Sequence, residues 1–273
     1  MNELHNLQDF EAAALARLPA GTRDYYAGGA GDEITLRANR LAWDRWSVHY
    51  RVLRDVQSRD LRIELEGLKL DWPVLIAPTA YHRLAHPDGE LATARAAASC
   101  GTALVLSTLS NTPMEEVARA ATRGLWFQLY CYKDRGITRD LIARAAACGC
   151  RAIVLTVDAP VGDLRERDLR NGFGFPPDLP MSNLLPAGSQ YAIPDLSQGG
   201  FAGYVDRMFD ATLGWRDLQW ICGASRLPVY VKGIVRPDDA RLALRHGARG
   251  IIVSNHGGRQ LDTAPATADV LES

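Results

Sequence analysis

The chain has 273 residues, of which 47% are apolar, 23% charged and 8% aromatic, a profile that excludes disordered, collagen-like and disulfide-scaffold classes. Thirty-one Lys and Arg against 32 Asp and Glu leave a net charge of −1, too small a basic excess for a protein devoted to nucleic acid or an anionic membrane surface. Residues 1–10 lack the apolar core of a signal peptide, and no run reaches the ~18 uninterrupted apolar residues a spanning helix needs, so no membrane segment is expected.

Residues 1–71 read as an N-terminal helical segment closed by a hairpin. Leu7, Phe10, Ala14 and Leu18 fall at helical spacing, and Pro19-Ala20-Gly21 stops that helix. A second helix runs through Tyr25 and Tyr26 into a glycine cluster at 28–31. This cluster follows a helix rather than a strand, which argues against a dinucleotide fingerprint. Helix resumes toward Trp46, and the weak alternation over 56–70 suggests the hairpin.

From Trp72 the rhythm changes. Short apolar runs at 74–77, 103–106, 126–129, 152–157, 229–231 and 250–253 alternate with amphipathic helical stretches. Buried strands separated by helices mean parallel βαβ units, in a closed barrel or an open doubly wound sheet. The strand ends favour the barrel. They deliver, in turn, Pro78-Thr79-Ala80, Ser107-Thr108, Gln128 with Tyr130, Thr156 with Asp158, Lys232-Gly233, and Ser254-Asn255-His256-Gly257-Gly258-Arg259. Polar groups at the carboxyl end of every strand are what a barrel's catalytic face requires; an open sheet concentrates ligands at one switch point. Five cysteines, Cys100, Cys131, Cys148, Cys150 and Cys222, make an odd set suited to a reduced, cytoplasmic protein, and Cys148-Gly149-Cys150 has neither the spacing nor the second pair of a zinc site. His82 and His86 stand four apart, but Pro87 starts a helix after them, so no metal site is expected there.

Particular stretches carry a family resemblance: DYYAGGAGDEITLRANR (24–40), IAPTAYHRLAHPDGELATARAA (76–97), WFQLYCYKD (126–134), IVLTVDAP (153–160), RERDLRNGF (165–173), VKGI (231–234) and IIVSNHGGRQLD (251–262). In that order they resemble the FMN-dependent α-hydroxy acid oxidases and dehydrogenases, the group of glycolate oxidase, lactate oxidase and mandelate dehydrogenase. The resemblance implies an α/β TIM (β/α)8 barrel, with about six of its eight βα units in residues 72–273, FMN across the carboxyl face and a small 2-hydroxy acid as substrate. It also implies a homo-oligomer in the full-length form.

The resemblance assigns roles as well. His256 would be the base that takes a proton from the 2-hydroxy acid, with Asp158 pairing to the imidazole and raising its basicity. Arg165 and Arg259 would clamp the substrate carboxylate, because a planar guanidinium meets two carboxylate oxygens at once. Tyr25 and Tyr130 would hydrogen-bond the substrate, Tyr130 within the catalytic set. Pro78, Thr79, Ala80, Ser107, Gln128 and Thr156 would line the flavin, and Lys232 would sit beside its anionic edge. Leu109 stands where glycolate oxidase has a Trp, which implies room for a longer or aromatic substrate side chain. Residues 172–214 are rich in Gly, Pro, Ser and Asp with little periodicity until about Tyr204, and read as a long irregular lid loop over the site. Relatives run roughly 80 or more residues beyond Ser273, which implies a C-terminal truncation that removes the phosphate-binding strand ends. A non-catalytic, cofactor-poor fragment is therefore one alternative; a Schiff-base lyase using Lys232 is another.

Overall fold

The computed structural model describes residues 3–162, 164–174, 176, 178–184 and 200–272. Helices α1 (Leu7–Leu15), α2 (Ala20–Ala27) and α3 (Ile34–Leu41) come first, followed by the antiparallel hairpin β1 (Ile63–Leu65) and β2 (Leu68–Leu70). The alternating part then gives α4 (Gly89–Ser99), β3 (Leu104–Leu106), α5 (Met114–Ala120), β4 (Leu125–Leu129), α6 (Arg135–Ala147), β5 (Ile153–Thr156), α7 (Glu166–Arg170), α8 (Gly200–Met208), α9 (Trp215–Ala224), β6 (Val229–Ile234), α10 (Pro237–Arg245), β7 (Gly250–Val253) and α11 (Thr267–Val270).

Strands β3 to β7 form one parallel sheet in the order β3-β4-β5-β6-β7. Sequential order without reversal is the order of a barrel wall, not of a doubly wound sheet. Two expectations need correction. Residues 74–77 are not a strand: Ile76 alone bridges to Leu104, in parallel, through the bonds Ile76 N–H to Ala103 O and Val105 N–H to Ile76 O. Pro73 and Pro78 flank the run and carry no N–H for a longer ladder. The segment 172–214 is also not irregular throughout, because α8 occupies Gly200–Met208, with Tyr204 and Val205 buried. Residues 185–199 of that expected lid lie outside the described residues.

The period of two along each strand builds the site. On one face Leu104, Leu106, Phe127, Leu129, Ile153, Leu155, Val229 and Val231 pack into the main apolar core. On the other, Val105, Trp126, Val154, Tyr230 and Ile252 pack with Leu68 and Leu70 of the hairpin into a second core. Full burial of aliphatic side chains of this size is worth roughly 1.5–3 kcal/mol each, so the hairpin is a substantial plug. Two residues further along that same face stand Ser107, Gln128, Thr156, Lys232 and Ser254. The interior thus runs from apolar to polar within a single step of the pleat.

The N-terminal helices dock on the loop after β7. Ala30 N–H donates to the Gly258 carbonyl at 2.9 Å, and Thr35 N–H donates to Asp262 Oδ1 at 2.8 Å. The amides of Asn39 and Asn255 bond each other reciprocally at 2.9 and 2.7 Å. Gly258, at φ +71°, lies so close to α3 that a Cβ there would meet Leu36 N at 2.5 Å and Leu36 Cα at 2.7 Å. Gly258→Ala should therefore cost at least the ~1–3 kcal/mol of a strained left-handed residue, with α3 displaced in addition. Urea unfolding should show the lower midpoint; an unchanged midpoint would mean that this contact does not hold α3.

Candidate active site

A cavity of about 350 Å³ opens at the carboxyl ends of the strands. Among its lining are twelve of the residues singled out from sequence. Tyr25 comes from α2, Pro78, Thr79 and Ala80 from the bridged first run, Ser107 from beyond β3, and Gln128 and Tyr130 from β4 and its end. Thr156 comes from β5, Arg165 from the turn into α7, Lys232 from β6, and His256 and Arg259 from the loop after β7. Asp158 is not in the lining. It stands behind His256, and its Oδ1 is 2.7 Å from His256 Nδ1.

Two backbone features put Asp158 and His256 together. Gly233, at φ +111°, forms a bulge in the β6–β7 ladder, and a Cβ there would meet Asp158 Cβ at 2.6 Å. Only glycine leaves the carboxylate room to tuck between the strand ends. His256 itself holds φ +60°, followed by Gly257 and Gly258 at +69° and +71°. Its N–H donates to Ser254 Oγ at 3.0 Å, which fixes the turn that aims the imidazole at Asp158.

Asp158 raises the basicity of the imidazole as expected, but other contributions outweigh it. Burial pushes the His256 imidazole below its usual range; the Asp158 bond and charge push back, while Lys232 and Arg259 push down again. The net direction is down, so Asp158 limits the loss of basicity rather than raising it above normal. Burial alone would raise the Asp158 carboxyl, but the His256 bond and the charges of His256 and Lys232 outweigh it and hold it below the usual carboxylate value. Lys232 Nζ stands 3.8 Å from Asp158 Oδ2, and burial draws the ammonium down against that attraction. An ionised Asp158 accepts from Nδ1–H, which leaves Nε2 as the free basic atom of a neutral imidazole.

Gln128 links three strand ends. Its Oε1 accepts from Thr108 N–H at 3.1 Å and from Ser107 Oγ at 3.4 Å, and its Nε2 donates to Thr156 Oγ1 at 3.0 Å. At the other end of the cavity the guanidinium carbons of Arg165 and Arg259 lie 5.1 and 5.3 Å from the centre of the Tyr25 ring. Arg259 Nη1 donates to the carbonyls of Tyr26 and Gly28, so the end of α2 fixes this side chain. Arg165 is buried and pairs with Asp168 at 3.2 Å.

Some residues that shape the site were not read from sequence. Tyr26 Oη donates to Tyr81 O at 2.5 Å and ties α2 to the first strand end. Glu90, fully buried, accepts from His82 N–H, Asn111 N–H and Thr112 Oγ1 and so joins the loops after the first two runs. Val205 of α8 and Phe209 just beyond it form part of the wall. Tyr26 sits in the quoted DYYAGG stretch, and Glu90 is a carboxylate one residue into a helix, ordinarily a solvated position; neither carries a separate sequence signal.

Residues 14–273 match the model of the family described as FMN-dependent dehydrogenase. The chain is 45% identical over 273 residues to glycolate oxidase 1 of Oryza sativa subsp. indica, covering 100% of this chain and 73% of that protein. It belongs to the FMN-dependent dehydrogenase family. L-lactate oxidase of Nostoc sp. is 48% identical over 271 residues, covering 97% of this chain and 74% of that protein. The structure of mandelate oxidase with (S)-4-hydroxymandelic acid superposes with a TM-score of 0.89 at 41% identity, covering 97% of this chain and 74% of the other. A mandelate oxidase variant with a C4a-OH-FMN adduct superposes with a TM-score of 0.85 at 40% identity, over 96% of this chain and 72% of that one. The family cofactor is FMN and the fold is the α/β TIM barrel, represented here by the five-stranded sheet and the bridged run at Ile76. No helix among the described residues is long and apolar enough to cross a membrane.

The pH dependence follows from the direction of the His256 shift. Because the folded imidazole binds its proton less tightly than the unfolded one, stability should fall as pH drops below about 6.5, where the unfolded chain takes up a proton first. Asp158 adds a further loss at lower pH, as its depressed carboxyl is finally protonated below about 3.9. His256→Gln should flatten the upper part of this profile, measured as urea midpoints from pH 5 to 8. An unaltered profile would place the titration elsewhere.

Proposed function

We propose that this chain oxidises a 2-hydroxy acid to the 2-oxo acid, with His256 as the base, Arg165 and Arg259 as the carboxylate clamp, and Tyr25 and Tyr130 as hydrogen-bonding partners of the substrate. The observation that carries the reading is the His256–Asp158 bond at 2.7 Å, with His256 lining a cavity that also holds two guanidinium groups and the half-buried Lys232. FMN, when bound, supplies the acceptor for the two electrons of the oxidation.

The residues present suit that cofactor. Lys232 is a half-buried cation whose carboxylate partner is 3.8 Å away, beyond hydrogen-bond distance, so its ammonium protons are available to an anionic ring edge. Ser107, Gln128 and Thr156 add polar groups along one wall, and Pro78, Thr79 and Ala80 offer a narrow edge that a flat ring can approach. The Arg pair attracts the substrate carboxylate and orients the hydroxyl-bearing carbon. His256 Nε2 then takes up a proton from the substrate, and Asp158 stabilises the resulting imidazolium through Nδ1–H. Lys232 and Arg259 work against that positive charge, so Asp158 is needed to keep the base serviceable. The Schiff-base lyase reading gives Lys232 a role but leaves the imidazole–carboxylate pair and the Arg pair without one.

The test uses FMN-loaded protein mixed anaerobically with lactate or mandelate. His256→Gln should abolish flavin bleaching while leaving FMN affinity within about twofold. Asp158→Ala should slow it less. Arg259→Lys should raise KM more than it lowers kcat, since a point charge cannot replace the fork. Flavin bleaching by His256→Gln at the parent rate would overturn the base assignment.

The acid limb of kcat/KM should lie below pH 6.5, because burial and two neighbouring cations depress the imidazole. Lys232→Met should move that limb upward by removing one of those cations. A downward movement would contradict the charge arrangement described above.

A further inference from the structure

Beside the catalytic cavity lies a second one of about 310 Å³. Its apolar lining includes Leu155, Leu213, Trp215, Leu218, Val231 and Ile234, on the face of the sheet turned toward α9. The two cavities share Tyr130, Thr156, Ala159 and Phe209. These four residues are therefore the wall between them.

Phe209 is the large movable-sized piece of that wall, and it is held firmly. Its ring stacks on Tyr130 with centroids 4.3 Å apart. It meets Tyr132 edge-on at 5.4 Å and Tyr204 edge-on at 5.7 Å. Its backbone bridges to Tyr132 in an antiparallel pair. Asp210 N–H donates to Cys131 O, and Lys133 N–H donates to Met208 O, so both flanks are pinned to the end of β4. Three aromatic contacts together with the pinned backbone make Phe209 a rigid partition rather than a swinging one.

Resting on the 2-hydroxy-acid reading above, we propose that Phe209 is a specificity-determining residue that limits the length of the substrate side chain. Tyr130 marks the reacting end of the cavity, and Phe209 lies flat against it. A side chain extending from the reacting carbon past Tyr130 meets the Phe209 ring before it can reach the second cavity. Compact side chains fit within the catalytic cavity against Leu109, Val205 and Phe209, all of them apolar. Long linear ones are stopped. The second cavity is the space they would need; Asp210 and Asp239 also line it, and its apolar side, Leu155, Leu213, Trp215, Leu218, Val231 and Ile234, is the part that would take an alkyl tail.

The experiment compares parent and Phe209→Ala protein, both FMN-loaded, on lactate and 2-hydroxyoctanoate, with calorimetric titration of 2-oxooctanoate alongside. Phe209→Ala should lower the KM ratio of 2-hydroxyoctanoate to lactate at least tenfold and tighten 2-oxooctanoate binding by a similar factor. Adding Leu213→Phe, which refills the second cavity from its half-buried far side, should cancel both gains. An unchanged ratio with lactate turnover intact overturns the proposal. If loss of the Tyr130 stack slows both substrates equally, the titration decides: tighter 2-oxooctanoate binding supports the partition, and unchanged binding overturns it. Parent protein that neither bleaches its flavin with lactate nor binds the oxo acid sinks the underlying reading, and the partition with it, before any variant is made.

Discussion

The Ala30 N–H to Gly258 carbonyl bond is the joint around which the site is arranged. The loop after β7 carries His256 and Arg259, and three consecutive residues in it stand at positive φ. Ser254 and Asn255 bond its own N–H groups, and contacts from outside fix the rest. The Asn39–Asn255 amide pair holds its start, the Ala30 bond holds its middle, and Thr35 holds Asp262 at its end. Arg259 completes the joint by donating to the last carbonyls of α2, orphan acceptors that a helix C-terminus must satisfy somehow. The same contacts that position the catalytic loop therefore close the N-terminal helices onto the barrel. A substitution in α3 can misplace His256 without touching it.

Inside the site, charge is distributed so that no group is left to its intrinsic chemistry. One carboxylate, Asp158, faces an imidazole at 2.7 Å and an ammonium at 3.8 Å. The shorter contact wins the proton geometry, because a hydrogen bond at that distance fixes the tautomer while the longer one acts only through charge. Burial works against every ion here, lowering His256 and Lys232, and would raise Asp158 if it stood alone. Asp158 and Lys232 each lessen the desolvation cost of the other, while Lys232 and Arg259 oppose a charge on His256. That opposition also explains why a neutral imidazole is available near neutral pH beside two cations.

Much of this was legible in the sequence, for a definite reason. Period-two alternation puts Trp126 and Gln128, Val154 and Thr156, and Tyr230 and Lys232 on common faces, so apolar runs that end in polar residues announce both the strands and the mouth they surround. The motif around His256 put His256 and Arg259 in one loop, and both line the cavity. What failed depends on information absent from a linear pattern. The run at 74–77 looks like a strand, but prolines on both sides restrict it to one bridge. The expected effect of Asp158 on His256 holds, but burial and the charges of Lys232 and Arg259, which converge only in three dimensions and lower the imidazole, were not read. Glu90 and Tyr26 act by reaching backbone groups of other loops, and nothing in their local sequence records those distances.

Helix α8 shows the same principle at the edge of the site. Gly, Pro and Ser richness precedes a helix that buries Tyr204 and Val205. Tyr204 reaches the Tyr132 hydroxyl at 3.1 Å, Val205 enters the cavity wall, and Asp206 accepts the Gly162 N–H at 3.0 Å and the Lys133 ammonium through its carbonyl at 2.6 Å. These bonds fasten α8 to β4 and to the loop after β5, the two strand ends that carry Tyr130 and Asp158. This wall of the cavity is thus built on the same strand ends as Tyr130 and Asp158. A change in wall residues can alter which side chain fits while the His256–Asp158 geometry, set from the opposite side by Gly233 and the α3 joint, stays where it is.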